Sequence, residues 1–425
     1  MVYEPTTNFK DSNGVDLGKK LVTQDYVATV YPNLNSSFSG LIAYPAELYA
    51  WGRGVFGALG DNTSTTVANR STPRQEATSS ANWKQVTCGA FFTMAIKNDG
   101  TLWSWGDNGF GQQGDNTPAS RSTPRQISVG ASGITGWRQI SAGVGSALAI
   151  RDDGTLWSWG RNNYGQVGDN TSASRSTPRQ ISIAATGGLR GWKQVASSNA
   201  IGYVAAIRYD GTLWLWGYGF YGNLGDNTSG NNILRSTPRQ EASSSTNWKQ
   251  VSCGDNCTVA IKNDGTLWVW GRNDLGQLGD NTNQSRSTPR QISVGASGIT
   301  GWKQVSSGSG HSLALKTDGT LWTWGYNNHG QLGSNDLVSR STPIREFTLS
   351  NNWRQVSCGA LFSSAIKTDG TLWTWGRNNY GQIGDNTLAT RSTPRQELTS
   401  STAWRQIYMG IEHMAAIEFP LNRGY

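Results

Sequence analysis

Charge is scarce in this 425-residue chain, with Asp, Glu, Lys and Arg together making up 15% of it. The residues from which catalytic and metal sites are usually assembled are scarce too, at three His and four Cys. No H-x-x-x-H pair, Cys-His cluster or nucleophile elbow is present, which excludes the common zinc and hydrolase signatures. The Gly-rich stretches, such as Gly106 to Gly114, are followed by no G-K-[ST] and do not form a phosphate loop. No run approaches the ~20 consecutive apolar residues of a membrane-spanning helix, and Met1 to Lys10 lack the charged and apolar regions of a signal peptide. Membrane insertion and classical export are therefore not expected. What the chain does have is 53 Gly and 20 Trp, a composition of turns and aromatic strands rather than helices.

The Trp residues are periodic. L-W-x-W-G begins at Leu102, Leu156, Leu213, Leu267, Leu321 and Leu372, with an altered copy, L-Y-A-W-G, at Leu48. The last Trp of successive copies is spaced by 54, 54, 57, 54, 54 and 51 residues, and short insertions at three fixed places account for the variation. Insertions confined to fixed places mark loops. W-[KR]-Q-[VI], first seen at Trp83, and R-S-T-P, first seen at Arg70, also occur seven times, and the three landmarks together use every Trp in the chain. Between them lie short apolar or alternating runs joined by Asp-Gly, a tight-turn signal that occurs six times from Asp99-Gly100 to Asp369-Gly370. Each repeat predicts about four short antiparallel strands, which form a core only by stacking around an axis. The fold class is all-β: a seven-bladed β-propeller with a composite closing blade, plus a short N-terminal arm.

Closure follows from the ends of the repeat array. The first copy opens at Leu48 without W-K-Q-V and A-I-K strands before it, and the last, Trp404 to Phe419, has those strands but no L-W-x-W-G after them. The halves are complementary, so Met414 to Glu418 is predicted to pair with Leu48 to Trp51, leaving no open edge. The division is then residues 1–47 as an arm for attachment or oligomerisation, 48–419 as the propeller and 420–425 as a tail.

The pattern of W-G, N-x-x-G-Q-L-G, H-S-L-A-L and D-G at Trp324 to Gly333 and His311 to Gly319 resembles the regulator of chromosome condensation repeat family. The resemblance covers Leu48 to Phe419 and implies the propeller. It implies no single activity, because propellers of that family serve as nucleotide exchange factors, enzyme inhibitors, an ultraviolet-B photoreceptor and interaction platforms. Residues 1–47 differ. A short helix capped by Thr23 and stopped by Pro32 is predicted, with Leu21, Val22, Tyr26, Val27 and Val30 as its apolar, candidate attachment side. This leader is similar to the start of structural proteins from tailed bacteriophages.

A residue repeated in every blade is scaffold before it is catalyst. The Asp of G-D-N recurs at Asp61, Asp115, Asp169, Asp226, Asp280 and Asp385, with Ser334 the exception, and is expected to tie down its loop. The three His lie in separate blades, Cys88, Cys253 and Cys358 share one small-residue position, and a Cys253–Cys257 disulfide is the alternative to reduced thiols. No metal, cofactor or catalytic set is expected. The G-W-[KR] triplets at Gly136, Gly191 and Gly301 read as core indoles rather than a light sensor, since Trp and its basic neighbour recur in all seven repeats. The net charge of +8 comes mostly from periodic Lys and Arg, expected as dispersed rings, so nucleic-acid binding is not expected. One position suggests binding: five residues after each W-G Trp stand Phe56, Phe110, Tyr164, Tyr221, Leu275, His329 and Tyr380. They form a ring that either covers the neighbouring Trp or offers an aromatic surface to sugar or protein. The leading functional expectation is a non-catalytic bacteriophage virion protein, homo-oligomeric, attached to other virion proteins through its arm and contacting host cell-surface protein or polysaccharide. A soluble, cytoplasmic interaction or inhibitor propeller and a small-GTPase exchange factor are the alternatives.

Overall fold

The computed structural model describes residues 46–63, 68–127, 135–182, 191–199, 201–230, 233–293 and 300–419. The arm with its apolar residues and the C-terminal tail lie outside the described residues. Among those described, no helix is long and apolar enough to cross a membrane.

Seven four-stranded antiparallel sheets make the ring. After β1 (Glu47–Gly52) and β2 (Arg70–Gln75), one blade runs β3 (Trp83–Cys88), β4 (Phe92–Lys97), β5 (Leu102–Gly106) and β6 (Arg121–Gln126). The pattern repeats through β7–β26 (Trp137–Gln396) and ends with β27 (Trp404–Met409) and β28 (His413–Glu418). The closing blade has the order β2-β1-β28-β27, with Leu48 opposite Ile417 and Trp51 opposite Met414. The two ends of the repeat array thus share one sheet, in the predicted register. W-[KR]-Q-[VI] is the innermost strand of each blade, and R-S-T-P is the outer edge, where a Pro without an N–H is tolerated and blunts further pairing.

The core lies between blades and is built on the W-G indole. Each one donates to a carbonyl in the loop of the preceding blade: Trp105 Nε1 to Ala58 O at 3.1 Å, Trp270 to Asn223 O at 2.9 Å, and, across the closure, Trp51 to Gln382 O at 3.1 Å. The same loop explains the Gly of G-D-N. At Gly225 φ is +66°, and a Cβ there would sit 2.7 Å from Trp270 Nε1, so only Gly allows the indole to reach its acceptor. The Asp-Gly turns differ from the two-residue turn expected. Gly100 alone takes positive φ, its N–H bonds Lys97 O at 2.9 Å, and Asp99 Oδ1 accepts the Thr101 N–H at 2.9 Å, giving a three-residue loop that closes on a left-handed Gly. Accepting that local bond suits an Asp in ordinary negative φ.

The Asp of G-D-N is a clasp. Asp115 Oδ1 accepts from Thr117 and Oδ2 from Arg121 at 3.1 Å; burial raises its pKa, but these bonds outweigh it and hold the group below the usual carboxylate range. At the exception the carboxylate has moved two residues along: Asp336 binds Arg340 at 2.5 Å and accepts from Asn327 Nδ2 at 3.0 Å, while Ser334 fills the vacated position. Ser334→Asp with Asp336→Thr restores the sister-loop sequence and is expected to leave the denaturation midpoint unchanged. Asp336→Thr alone leaves Arg340 and Asn327 without that partner and is expected to cost about 1 kcal/mol. Equal midpoints for the two variants would show that the carboxylate does not hold the loop.

A second buried carboxylate separates two classes of blade. Glu76, Glu241, Glu346 and Glu397 each accept the inner-strand indole N–H, as Glu241 does from Trp248 Nε1 at 3.2 Å; the first three also accept two backbone N–H groups of the next turn and Glu397 accepts one. Where the connection is longer, Ile127, Ile181 and Ile292 take the place of Glu and pack into the core.

Candidate functional site

The seven innermost strands line a central channel of about 160 Å³. Its walls are mostly the Gln, Val and Ser of W-[KR]-Q-[VI]-S. The Gln side chains join blades whose inner strands share no ladder: Gln194 Nε2 donates to Val251 O at 3.0 Å and its Oε1 accepts Val251 N–H at 3.1 Å. The same two-way amide bridge links Gln139 to Val195, Gln250 to Val305 and Gln304 to Val356. It gives way at the closing blade, where Tyr408 stands in a row otherwise of Thr, Ser and Ala, Gln85 Oε1 has no hydrogen-bond partner among the described residues, and Gln406 reaches Lys84 O at 3.1 Å. From the insertion in the Trp192 blade, Asn199 Nδ2 spans the channel to Met409 O at 3.3 Å. The sequence reading missed these Gln residues, although their recurrence at a half-buried strand position was the available signal.

The face at the W-G end carries the suspected ring. Phe56 is 49% exposed, Phe110 40% and Leu275 37%, while Tyr164, Tyr221, His329 and Tyr380 are half-buried. Among the described residues their ring contacts are with another position than the W-G Trp. They interleave with the residue two after the next W-G Trp: Arg161 lies over Phe110 at 5.1 Å and over its own Tyr164 at 5.3 Å, Arg272 over Tyr221 at 5.1 Å, and Arg53 over Tyr380 at 4.8 Å. Tyr218 meets Tyr164 at 5.1 Å, and Tyr326 meets His329 at 6.4 Å. Burial and the Arg377 charge push His329 down. Glu412 pairs with both Arg53 and Arg377, fixing the belt at the closing blade. Inside the belt the mouth of the channel is unequal. Val144, Ala360 and Ile411 mark one side, and Asn199, Asp255 and Ser309 the other. Asp255 is pushed up to about 6 by burial, against a bond to Ser309 and the nearby Arg272.

The other reactive groups are buried structural pairs. His311 Nε2 bonds Ser363 Oγ at 2.9 Å, and His413 Nε2 bonds Thr93 Oγ1 at 3.1 Å. Since Ser363 Oγ donates to Gln331 O at 2.8 Å and Thr93 Oγ1 to Ala58 O at 2.9 Å, both rings must carry their proton on Nε2. Burial pushes them down to about 3 and about 4. All four Cys are free and buried, including Cys253 and Cys257, and burial pushes the thiols up, Cys88 to about 12. Among the described residues no three His, Cys, Asp or Glu converge as metal ligands.

The model of the RCC1-like domain matches residues 193–419, more than half of the chain, and that of the regulator of chromosome condensation (RCC1) repeat matches residues 46–96, 99–150 and 153–202. The chain belongs to the RCC1 repeat family. It is 32% identical over 352 residues to the ultraviolet-B receptor UVR8 of Arabidopsis thaliana, covering 81% of this chain and 76% of that one. The E3 ubiquitin-protein ligase HERC2 of Mus musculus is 28% identical over 354 residues, 82% of this chain but 7% of that protein. The crystal structure of Prp20p from Saccharomyces cerevisiae superposes with a TM-score of 0.77 at 19% identity, covering 90% of this chain and 93% of that one, which establishes likeness of fold. An RCC1-type propeller therefore stands as most of one relative and as a small part of another.

Proposed function

We propose that this RCC1 propeller is a non-catalytic protein-interaction module whose partner docks on the W-G face. The observation that carries the proposal is the belt in which Phe110, Tyr164, Tyr221 and Tyr380 alternate with Arg53, Arg161 and Arg272. Tyr, Phe and Arg are the side chains enriched at protein interfaces, and here Arg–aromatic stacking holds them in place before any partner arrives. The division of the mouth into apolar and polar sides fits one asymmetric partner rather than a sevenfold one. The channel, at about 160 Å³, is below the ~300–1,000 Å³ of ordinary small-molecule sites, and the larger hollow of about 420 Å³ beside Phe110 lies open on the belt itself, where it adds to the contact surface. The virion reading rested on residues 1–47 and draws no support from the relatives described above, so attachment through the arm is not proposed.

Photo-crosslinking amino acids placed at Tyr164 and Tyr221, and as a control at Tyr209 on the opposite face, test this in the cells that make the protein. The expected outcome is one protein crosslinked from the first two positions and not the third, with capture reduced at least about tenfold by Arg161→Ala with Arg272→Ala. Crosslinks from Tyr209 alone would contradict the proposal. A captured small GTPase that releases nucleotide faster in the complex would narrow it to an exchange factor.

A further inference from the structure

The basic residue of W-[KR]-Q occupies a position whose significance is set by its radius. Because W-[KR]-Q is the inner strand, these residues stand around the channel mouth at the Asp-Gly end rather than dispersed over the ring, which corrects the expectation from sequence. Four are Lys84, Lys193, Lys249 and Lys303, all exposed; three are Arg138, Arg354 and Arg405. They are one cation per blade, seven in a chain whose net charge is +8.

Three observations make this rim more than a solvated stripe. Every inner strand shifts register between its Trp and its Gln, so the basic residue is the extra residue of a β-bulge in all seven blades. Bulges re-aim a side chain at the expense of ladder pairing. None of the seven forms an ion pair with a carboxylate of the described residues, whereas the surrounding Asp-Gly hairpins are balanced internally, as in Arg151–Asp153 at 3.3 Å and Arg208–Asp210 at 3.8 Å. The connections 128–134, 183–190 and 294–299, which lead into three of these strands, contain no acidic residue. Finally, Arg138 and Arg354 each lay one Nη on the neighbouring blade, to Trp192 O at 2.8 Å and Trp404 O at 2.9 Å, which fixes the guanidinium at the rim. Burial and the like charge of Arg405 both push Arg354 down, so the cations are close enough to repel.

We propose that this rim binds a compact polyanion on the propeller axis, a small molecule carrying several phosphate groups. A round, densely charged anion centred on the axis faces all seven cations at once, while an extended duplex crossing the ring meets only those on its path. Lys acts toward phosphate as a mobile point charge and needs no bidentate geometry. Single-stranded nucleic acid is disfavoured because the indoles beside the cations, Trp83, Trp248 and Trp302 among them, are buried, and the exposed ring of Tyr209, with Arg138 over it at 5.5 Å, is a single stacking surface rather than a row of them.

Calorimetric titration of the full chain with inositol hexakisphosphate as the probe tests the proposal. One molecule should bind per chain, with affinity lowered at least about tenfold by Lys193→Gln, Lys249→Gln and Lys303→Gln together. Affinity should change less than twofold in the charge-matched control Arg125→Gln, Arg179→Gln and Arg290→Gln, whose guanidinium groups are half-exposed on outer strands. Lys249→Gln alone, expected to weaken binding severalfold, keeps the comparison should the triple variant prove unstable. Absence of saturable binding, equal losses in the two triple variants, or tighter ring-dependent binding of hexaglutamate or duplex DNA would each overturn the assignment.

Discussion

Trp270→Ala is expected to lower the stability of the chain by about 3–5 kcal/mol, read as a shift of the denaturant midpoint at constant slope. The indole is fully buried, packs against Trp248 at 5.9 Å and gives its N–H to Asn223 O. Its loss would leave a cavity between two blades and remove one of the two bonds that Asn223 O accepts, the other coming from Thr258 Oγ1 at 2.8 Å. The loop beside it cannot collapse into the gap, since Gly225 is held with positive φ and its N–H bonds Gly222 O at 2.9 Å. Trp268→Ala should cost less, because that indole is only half-buried and bonds Thr266 within its own hairpin at 2.8 Å. Gly225→Ala should be strongly destabilising alone but add to Trp270→Ala only the cost of an Ala at φ +66°, since removing the indole removes the clash and leaves the backbone strain. An unchanged midpoint for Trp270→Ala would mean that the W-G Trp does not join blades.

The second large effect is acid sensitivity from His311 and His413. Both are neutral and buried, with Nδ1 lacking a partner, so a second proton would charge a group that nothing in the core can solvate. Their folded pKa values lie below the ordinary value, at about 3 and about 4. Between those values and about 6.5 the unfolded chain therefore binds more protons than the folded one. The pair's contribution should be full above pH 6.5 and fall as pH drops, by on the order of 5 kcal/mol at pH 4, partly offset by Asp255, whose pKa of about 6 makes the folded chain take up the extra proton in the same window. The window lies above that of clasp carboxylates such as Asp169 and Asp280, which are held below the usual range and matter only at lower pH. Phe92 and Phe362 occupy the equivalent strand position in other blades. The double variant His311→Phe, His413→Phe should thus fold and lose the branch between pH 6.5 and 4. A branch of undiminished size in that variant would place its origin elsewhere.

The His positions also show what was legible in the sequence. In five blades the first residue of the second strand meets the second residue of the equivalent strand in the next blade: His311 meets Ser363, His413 meets Thr93, and Tyr203 meets Thr258 at 3.2 Å. Phe92 and Phe362 instead share core clusters with Ala147 and Met414. Polar tips face hydroxyls and plain rings face apolar partners, a pairing readable once the repeats are aligned with an offset of one. Repeat number and closure were legible for the same reason, because each landmark serves one structural place. Radius was not. Lys84 and Arg125 recur with the same periodicity, yet one set gathers on the inner strands and the other spreads over the outer ones, and nothing in a period encodes distance from an axis. The Gln bridges were hidden because their partners are backbone groups of another blade, 52 to 57 residues away in the chain. The alternation of Glu and Ile with connection length was visible, but its meaning needed the indole that the Glu accepts.

Both faces exist as rings only if β1 and β28 truly pair, and amide hydrogen exchange of the full chain measures that pairing directly. The N–H groups along Leu48–Trp51 and Met414–Ile417 are expected to be as protected as those of Thr258–Ile261 within an unbroken blade, exchanging only when the whole ring opens. Rapid exchange confined to the β1–β28 pair, with the other six blades protected, would show an open ring and contradict the account.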